Sequence, residues 1–498
     1  MGEAVVLDGE TLTPGALARI AQGAPATLAP GARARMEESA GWLEELGSAR
    51  RDILQVKWNV LVGGEAPADP RELVRRFILG HCAGVGPPFP PDVVRATLAA
   101  RANVLATGAT GARPACVDTL LAMLEAGVVP VVPSQGSVGA AGDLAPLAHI
   151  LRVAAGLGGE AWREGGRRPA AEAMAGLPLL EPNEKEALSL INGATVTAAM
   201  AALAVVRARR LLETAEAACA LSFETNRADL GCLSEEAVGA RRHPGGTAVA
   251  RRLRAHLEGS ELVTEGRRPD PFSLRCAPAV LGAAWDALVY VEGTVARELN
   301  GACDNPLVLA GPELVEAGNF HGAPVALAMD HLKVALTQVA SIAERRVFRM
   351  TYGQLTGLPS FLAPESGLDS GLMLAQYTAA SLVSEARGLC FPASSDSIPT
   401  IQHHEDHVSM GPIAARGALT VVEALADVLA VELICAAQGL ELRLEAGAGQ
   451  PGRATRGHLD AVRDRVARWS RDRVLKPDLQ AMGDAVRAGV FTDAPGPW

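Results

Sequence analysis

The sequence predicts a mostly α-helical protein, in which a central bundle of long helices follows a loop-rich N-terminal region. Three observations predict it. Hydrophobic residues make up 49% of the 498 residues, enough for a large core and more than one layer of structure. Six segments beyond residue 195 repeat apolar residues at helical spacing over lengths well above the globular mean. Gly and Pro clusters such as those at 84–88 and 108–114 interrupt the earlier part of the chain instead.

Taken in order, residues 1–195 read as an N-terminal region of short elements joined by tight turns. The loop Glu181-Pro182-Asn183 separates the two textures. Residues 196–498 read as the helical bundle region. Its first helix, predicted at 196–223, is rich in Ala and Leu and carries a basic patch at Arg207, Arg209 and Arg210. Further helices are predicted at 277–300, 323–350, 372–387, 412–442 and 457–474. Each is apolar over much of its circumference. Helices of this kind bury surface on several sides, often across subunits.

Charge and composition narrow the function. The net charge of -10 argues against nucleic acid or an anionic membrane as main partner. The eight cysteines are scattered, with no CxxC pair and no His/Cys cluster at metal-ligand spacing. They read as buried small hydrophobes in a reducing compartment. The N-terminus lacks a signal pattern, and the best apolar run, 417–440, carries Glu423, Asp427 and Glu432. A cytoplasmic protein with no membrane partner is expected, and the sequence points to no metal and no cofactor.

The segment Gly136-Ser137-Val138-Gly139-Ala140-Ala141-Gly142-Asp143-Leu144-Ala145-Pro146 is the most distinctive. Asp143 suits the N-cap of a following helix, with Pro146 in its first turn. Other blocks follow a fixed order: His81-Cys82-Ala83-Gly84-Val85-Gly86, Arg101-Ala102-Asn103, Asn192-Gly193 and Phe272-Ser273-Leu274-Arg275-Cys276. Then come Asn300-Gly301-Ala302-Cys303-Asp304-Asn305-Pro306, Gly318-Asn319-Phe320-His321-Gly322, Asp396-Ser397-Ile398-Pro399-Thr400 and Glu405-Asp406-His407-Val408-Ser409-Met410. Together they resemble the histidine and aromatic amino-acid ammonia-lyases, closest to the histidine branch because of His81 and Glu405. The resemblance implies the ammonia-lyase fold, a homotetramer, and pockets built from more than one subunit.

The chain departs from the family pattern at telling places. The family triplet Ala-Ser-Gly cyclises and loses water from its serine to form an electrophilic methylidene-imidazolone. Here the triplet is Ala140-Ala141-Gly142, and alanine has no hydroxyl to lose. The family's catalytic tyrosine falls, aligned on Asn59, at Val56, or at Lys57 after a one-residue slip. The tyrosine of the family's YSLRC is Phe272, and the residue before Glu405 is His404 rather than glutamine.

The retained residues keep clear chemical uses. By resemblance Arg275 holds a substrate carboxylate, which a guanidinium fork matches bidentately; an intersubunit ion pair is the alternative. Asn192 and Asn300 can orient an amine or carboxylate, or can cap local backbone. Phe320 and Trp58 can wall a pocket or simply pack. Lys57, His81, His404 and Glu405 are the titratable candidates for catalysis. For Lys57 the alternative is a solvated loop lysine, and for His403-His404 a pair bonded to backbone. The expected function is therefore an electrophile-free, ammonia-lyase-like enzyme acting on a small carboxylate by proton transfer or elimination. Two alternatives stand beside it: a ligand-binding pseudoenzyme, and a histidine ammonia-lyase disabled by Ser-to-Ala substitution.

Overall fold

A computed structural model describes residues 3–46, 69–266, 270–363, 365 and 367–492. It divides into two compact units. The first comprises Met1–Val206, Val291–Asp330 and Pro392–Arg416; the second comprises Arg207–Tyr290, His331–Phe391 and Gly417–Trp498.

Prolines begin helices in the first unit. Pro14, Pro30, Pro70, Pro91 and Pro114 open α1 (Pro14–Ala21), α2 (Pro30–Glu45), α3 (Pro70–His81), α4 (Pro91–Ala106) and α5 (Pro114–Glu125). The first helical position needs no N–H, and the fixed φ of proline suits it. Thr13 caps α1 by accepting from the Ala16 N–H, and Asp69 caps α3 through the Arg71 N–H. Next come α6 (Leu144–Ala154) and α7 (Glu184–Ile191). Asn183 and Glu186 form a reciprocal capping box at the start of α7. The strands are short. β1 (Val5–Leu7) pairs in parallel with β2 (Ala26–Leu28), and β3 (Val85–Pro88) pairs antiparallel with β5 (Pro133–Gln135). β4 (Val129–Pro130), β6 (Glu160–Arg163) and β7 (Gly166–Pro169) make an antiparallel sheet, and β8 (Leu307–Val308) pairs with β9 (Leu314–Val315).

The long helices are α8 (Thr195–Asn226), α9 (Pro244–His256), α10 (Ala277–Leu299), α11 (Ala323–Thr351), α12 (Met373–Leu389) and α13 (Gly411–Glu445). Apart from α9, which the sequence reading does not predict, they follow that reading to within a few residues. In the second unit, buried polar side chains cross between them. Arg346 and Glu432 are fully buried and bidentate, and Glu432 also accepts from the Ser222 hydroxyl. Pairing of this kind is what makes a buried charge tolerable.

One predicted helix is corrected. The segment 457–474 is helical only within α14 (Arg453–Arg463), and α15 (Lys476–Ala488) follows later. The side-chain amide of Gln438 accepts from the Trp469 N–H and donates to the Trp469 carbonyl. Those backbone groups are thus satisfied from α13, and Trp469 is buried there. The helical period of the segment loses to this tertiary contact. The apolar runs need correction too. Ala277–Leu299 and Ala323–Thr351, not 417–440, have the length and hydropathy of a span. They are 50% and 67% buried within the protein, as core helices are.

Candidate active site

Three segments of the first unit meet around the triplet loop. Gly142 adopts φ +83 and pairs in parallel with Gly193. The Gly193 N–H donates to the Ala141 carbonyl at 3.0 Å, and the Asp143 N–H donates to the Gly193 carbonyl at 2.9 Å. A Cβ on Gly142 would lie 2.1 Å from the Gly193 carbonyl carbon, so glycine is required on contact as well as on φ. On the other flank, Met410 N–H donates to the Val138 carbonyl at 2.9 Å and the Ser409 hydroxyl to the Gly139 carbonyl at 3.1 Å. The Gly318–Gly322 segment closes from a third side, where a Cβ on Gly322 would come 2.9 Å from the Ala194 side chain.

Asp143 stands at the N-cap position of α6, as expected, but its side chain makes no bond to that helix. It caps α8 instead. Oδ2 accepts from the Thr197 N–H at 2.7 Å, Oδ1 accepts from the Thr197 hydroxyl at 3.1 Å, and Val196 N–H adds a further bond. The carboxylate thus offsets the positive end of a 32-residue helix. Burial pushes its pKa up to about 7 against the pull of these donors.

Beneath the loops lies a buried polar floor whose residues a linear reading leaves unassigned. Arg101, 2% exposed, donates to the Thr195 hydroxyl and to the carbonyls of Cys303 and Ser189. Lys185 and Asp304 form a fully buried ion pair at 2.7 Å, joined by the Ser189 hydroxyl. Cys303 Sγ accepts from the Ala194 N–H at 3.1 Å, and burial drives that thiol well above its ordinary pKa. Burial also raises the Glu298 carboxyl beside it. The available signal was the charge in Glu184-Lys185-Glu186 and Cys303-Asp304. Only the fold shows that Lys185 and Asp304 meet.

The expected site residues fall in different places. Asn192 is buried as the C-cap of α7, and its Oδ1 has no partner among the described residues. His81 ends α3, with Nδ1 2.8 Å from the Phe77 carbonyl, so Nδ1 carries the proton. Burial lowers its pKa, while the Phe77 carbonyl and the charge of Glu405 pull it upward. Glu405 is half-buried and accepts from the Thr400 hydroxyl at 2.6 Å. His404 is exposed next to it, and Phe320 is half-buried in its turn. His321 stacks on His407, and its Nε2 is buried without a partner among the described residues.

Asn300 is used up structurally. Its amide donates to the carbonyls of Leu12 and Ala296 and accepts from the Leu12 N–H and Asn103, which fills all four hydrogen-bonding positions. Arg275 belongs to the second unit, where it is exposed with its guanidinium 4.8 Å from the Phe272 ring. Val56, Lys57 and Trp58 lie outside the described residues. Among the described residues no group of three or more His, Cys, Asp or Glu side chains could hold a metal ion.

Comparison with known proteins gives consistent findings. The family described as aromatic amino acid lyase matches residues 12–464. A protein of Anaeromyxobacter sp. (strain K) named histidine ammonia-lyase is 46% identical, covering 98% of this chain and 99% of its own. The crystal structure of histidine ammonia-lyase from Trypanosoma cruzi superposes with a TM-score of 0.90 at 36% identity, covering 98% of this chain and 94% of that one. Tyrosine aminomutase from Streptomyces globisporus superposes at 0.89 with 33% identity, covering 99% and 100%.

These likenesses overturn the expected function. An electrophile-free enzyme, a binding pseudoenzyme and a disabled histidine ammonia-lyase all make position 141 and the segment around 56 decide the activity. Relatives named histidine ammonia-lyase at 40–46% identity over nearly the full chain outweigh those two places.

Proposed function

The chain belongs to the aromatic amino acid lyase family, and on that premise we propose that it is an ammonia-lyase whose substrate is histidine. The observation that carries this reading is the 46% identity, end to end, with a protein named histidine ammonia-lyase. The reaction removes the amine from the α-carbon and a proton from the β-carbon. The C–N bonding pair leaves with the nitrogen, and the C–H pair becomes the double bond of urocanate.

The residues suit distinct parts of this work. Arg275, in the second unit, carries the planar fork that a substrate carboxylate matches bidentately. Asn192 Oδ1, buried and without a partner among the described residues, accepts an N–H of the ligand, since an amide oxygen can only accept. Glu405 and His81 handle the proton: one is a carboxylate and the other an imidazole that burial keeps toward its neutral form. The N–H groups of the triplet loop favour negative charge nearby. The family's prosthetic group takes its methylene from a serine hydroxyl. Ala141 has none, so the residue present does not fit that group, and no step here is routed through it.

The same reading includes a cytoplasmic homotetramer. Large apolar side chains stand exposed on long helices of the second unit: Tyr290 at 50%, Phe348 at 41% and Tyr377 at 59%. Exposed apolar surface on such helices is the material of symmetric interfaces.

Ammonia release from a panel of histidine, phenylalanine and tyrosine tests the substrate. Histidine is expected to lead the panel, and Glu405→Gln to lose at least about tenfold in kcat. Turnover of phenylalanine or tyrosine with none of histidine would replace this substrate. A Glu405→Gln rate equal to the parent's would remove Glu405 from the chemistry.

A further inference from the structure

We infer that Thr400 is a positioning residue that fixes the direction of the Glu405 carboxylate. The inference rests on the catalytic reading of Glu405 given above. Thr400 is tied to Glu405 twice. Its hydroxyl donates to Glu405 Oε2 at 2.6 Å, and its N–H donates to the Glu405 carbonyl at 3.0 Å, closing an isolated antiparallel bridge. The side-chain bond is charge-assisted and short, the stronger kind of hydrogen bond.

The chain between the two residues does not hold this shape unaided. Ile401 has φ +41 and His403 has φ +66, left-handed values that a β-branched residue in particular avoids. Something must offset that cost, and the Thr400–Glu405 pair closes the ends of the strained turn. A second closure lies just outside it, where the Ser397 hydroxyl accepts from the Val408 N–H at 3.0 Å. The carboxylate therefore gets its direction from Thr400, while the Glu405 charge reaches the His81 imidazole at the end of α3. Thr400 need not touch substrate to matter; freed of it, the carboxylate rotates and its charge leaves His81.

The test uses the full chain and its T400V, T400A and T400S variants. Each is assayed with histidine, and His81 is titrated by histidine-ring NMR, its signal assigned by loss in His81→Gln. T400V and T400A are expected to lose kcat roughly tenfold, with KM within about twofold. T400S, which keeps the hydroxyl, stays within about twofold of the parent. The His81 midpoint falls in T400V and T400A and holds in T400S. T400V or T400A with the parent's kcat and His81 midpoint would overturn the inference, as would T400S impaired as badly as T400V. If T400V fails to fold, T400A and T400S carry the comparison. A parent that releases no ammonia from histidine would overturn the substrate reading alone, and the His81 titration would still decide the role of Thr400.

Discussion

Gly142→Ala tests the backbone seam at the centre of the site. The position has φ +83, and the added Cβ would stand 2.1 Å from the Gly193 carbonyl carbon and 2.3 Å from its nitrogen and oxygen. All three are backbone atoms, so no side chain can swing away. Relief requires the two loops to part by more than 1 Å, roughly the gap between these distances and a normal contact of about 3.5 Å. That motion breaks Gly193 N–H to Ala141 and Asp143 N–H to Gly193. Two lost hydrogen bonds cost about 1 kcal/mol each, and the left-handed backbone about 1–2 kcal/mol. The total is about 3–4 kcal/mol. Gly127→Ala is the internal control: its φ is +66, but nothing lies within 4 Å of the added atom. It carries the backbone cost alone, about 1–2 kcal/mol. Guanidinium unfolding of both variants reads the difference. A Gly142→Ala no less stable than Gly127→Ala would refute the seam.

Further expectations follow from the same structure. Asp143 is raised from 3.8 to about 7 in the folded state, so folding binds its proton more tightly. Its contribution is full below about pH 4 and lost as pH rises to 7. Relative to the non-titrating Asp143→Asn, the parent should therefore lose on the order of 4 kcal/mol across that window, read by denaturation at several pH values; a flat difference would contradict the dominance of burial over the capping donors. Lys185→Met leaves the fully buried Asp304 carboxylate unpaired and should cost about 3–5 kcal/mol, measured by unfolding, whereas a neutral effect would mean the pair is not formed. Asn300→Ala removes four hydrogen bonds and should lower stability by about 2–4 kcal/mol; if instead stability holds and only substrate KM rises, Asn300 is a ligand contact and not a clamp.

The long helices were legible because period and length survive in one dimension. α8, α10, α11 and α13 bury apolar residues around much of their girth, and that pattern is local. The end of α14 was not legible, because the groups that stop it belong to Gln438, about 30 residues back in the chain. The loops of the site could be read as motifs but not as geometry. Nothing near Asp143 says that it caps a helix starting at Thr195, and nothing near Asn300 says that Leu12 consumes its amide. The functional error had a different source. Agreement spread over several hundred residues was visible as ordered motif blocks, but the missing groups at 141 and 56 were given more weight than it.

The most direct measurement is the product balance of purified full chain incubated with L-histidine, with urocanate and ammonium followed together by NMR. Equal amounts of the two, accumulating over many turnovers per chain, are the expected result. Histidine recovered unchanged after prolonged incubation with assembled protein would contradict the account.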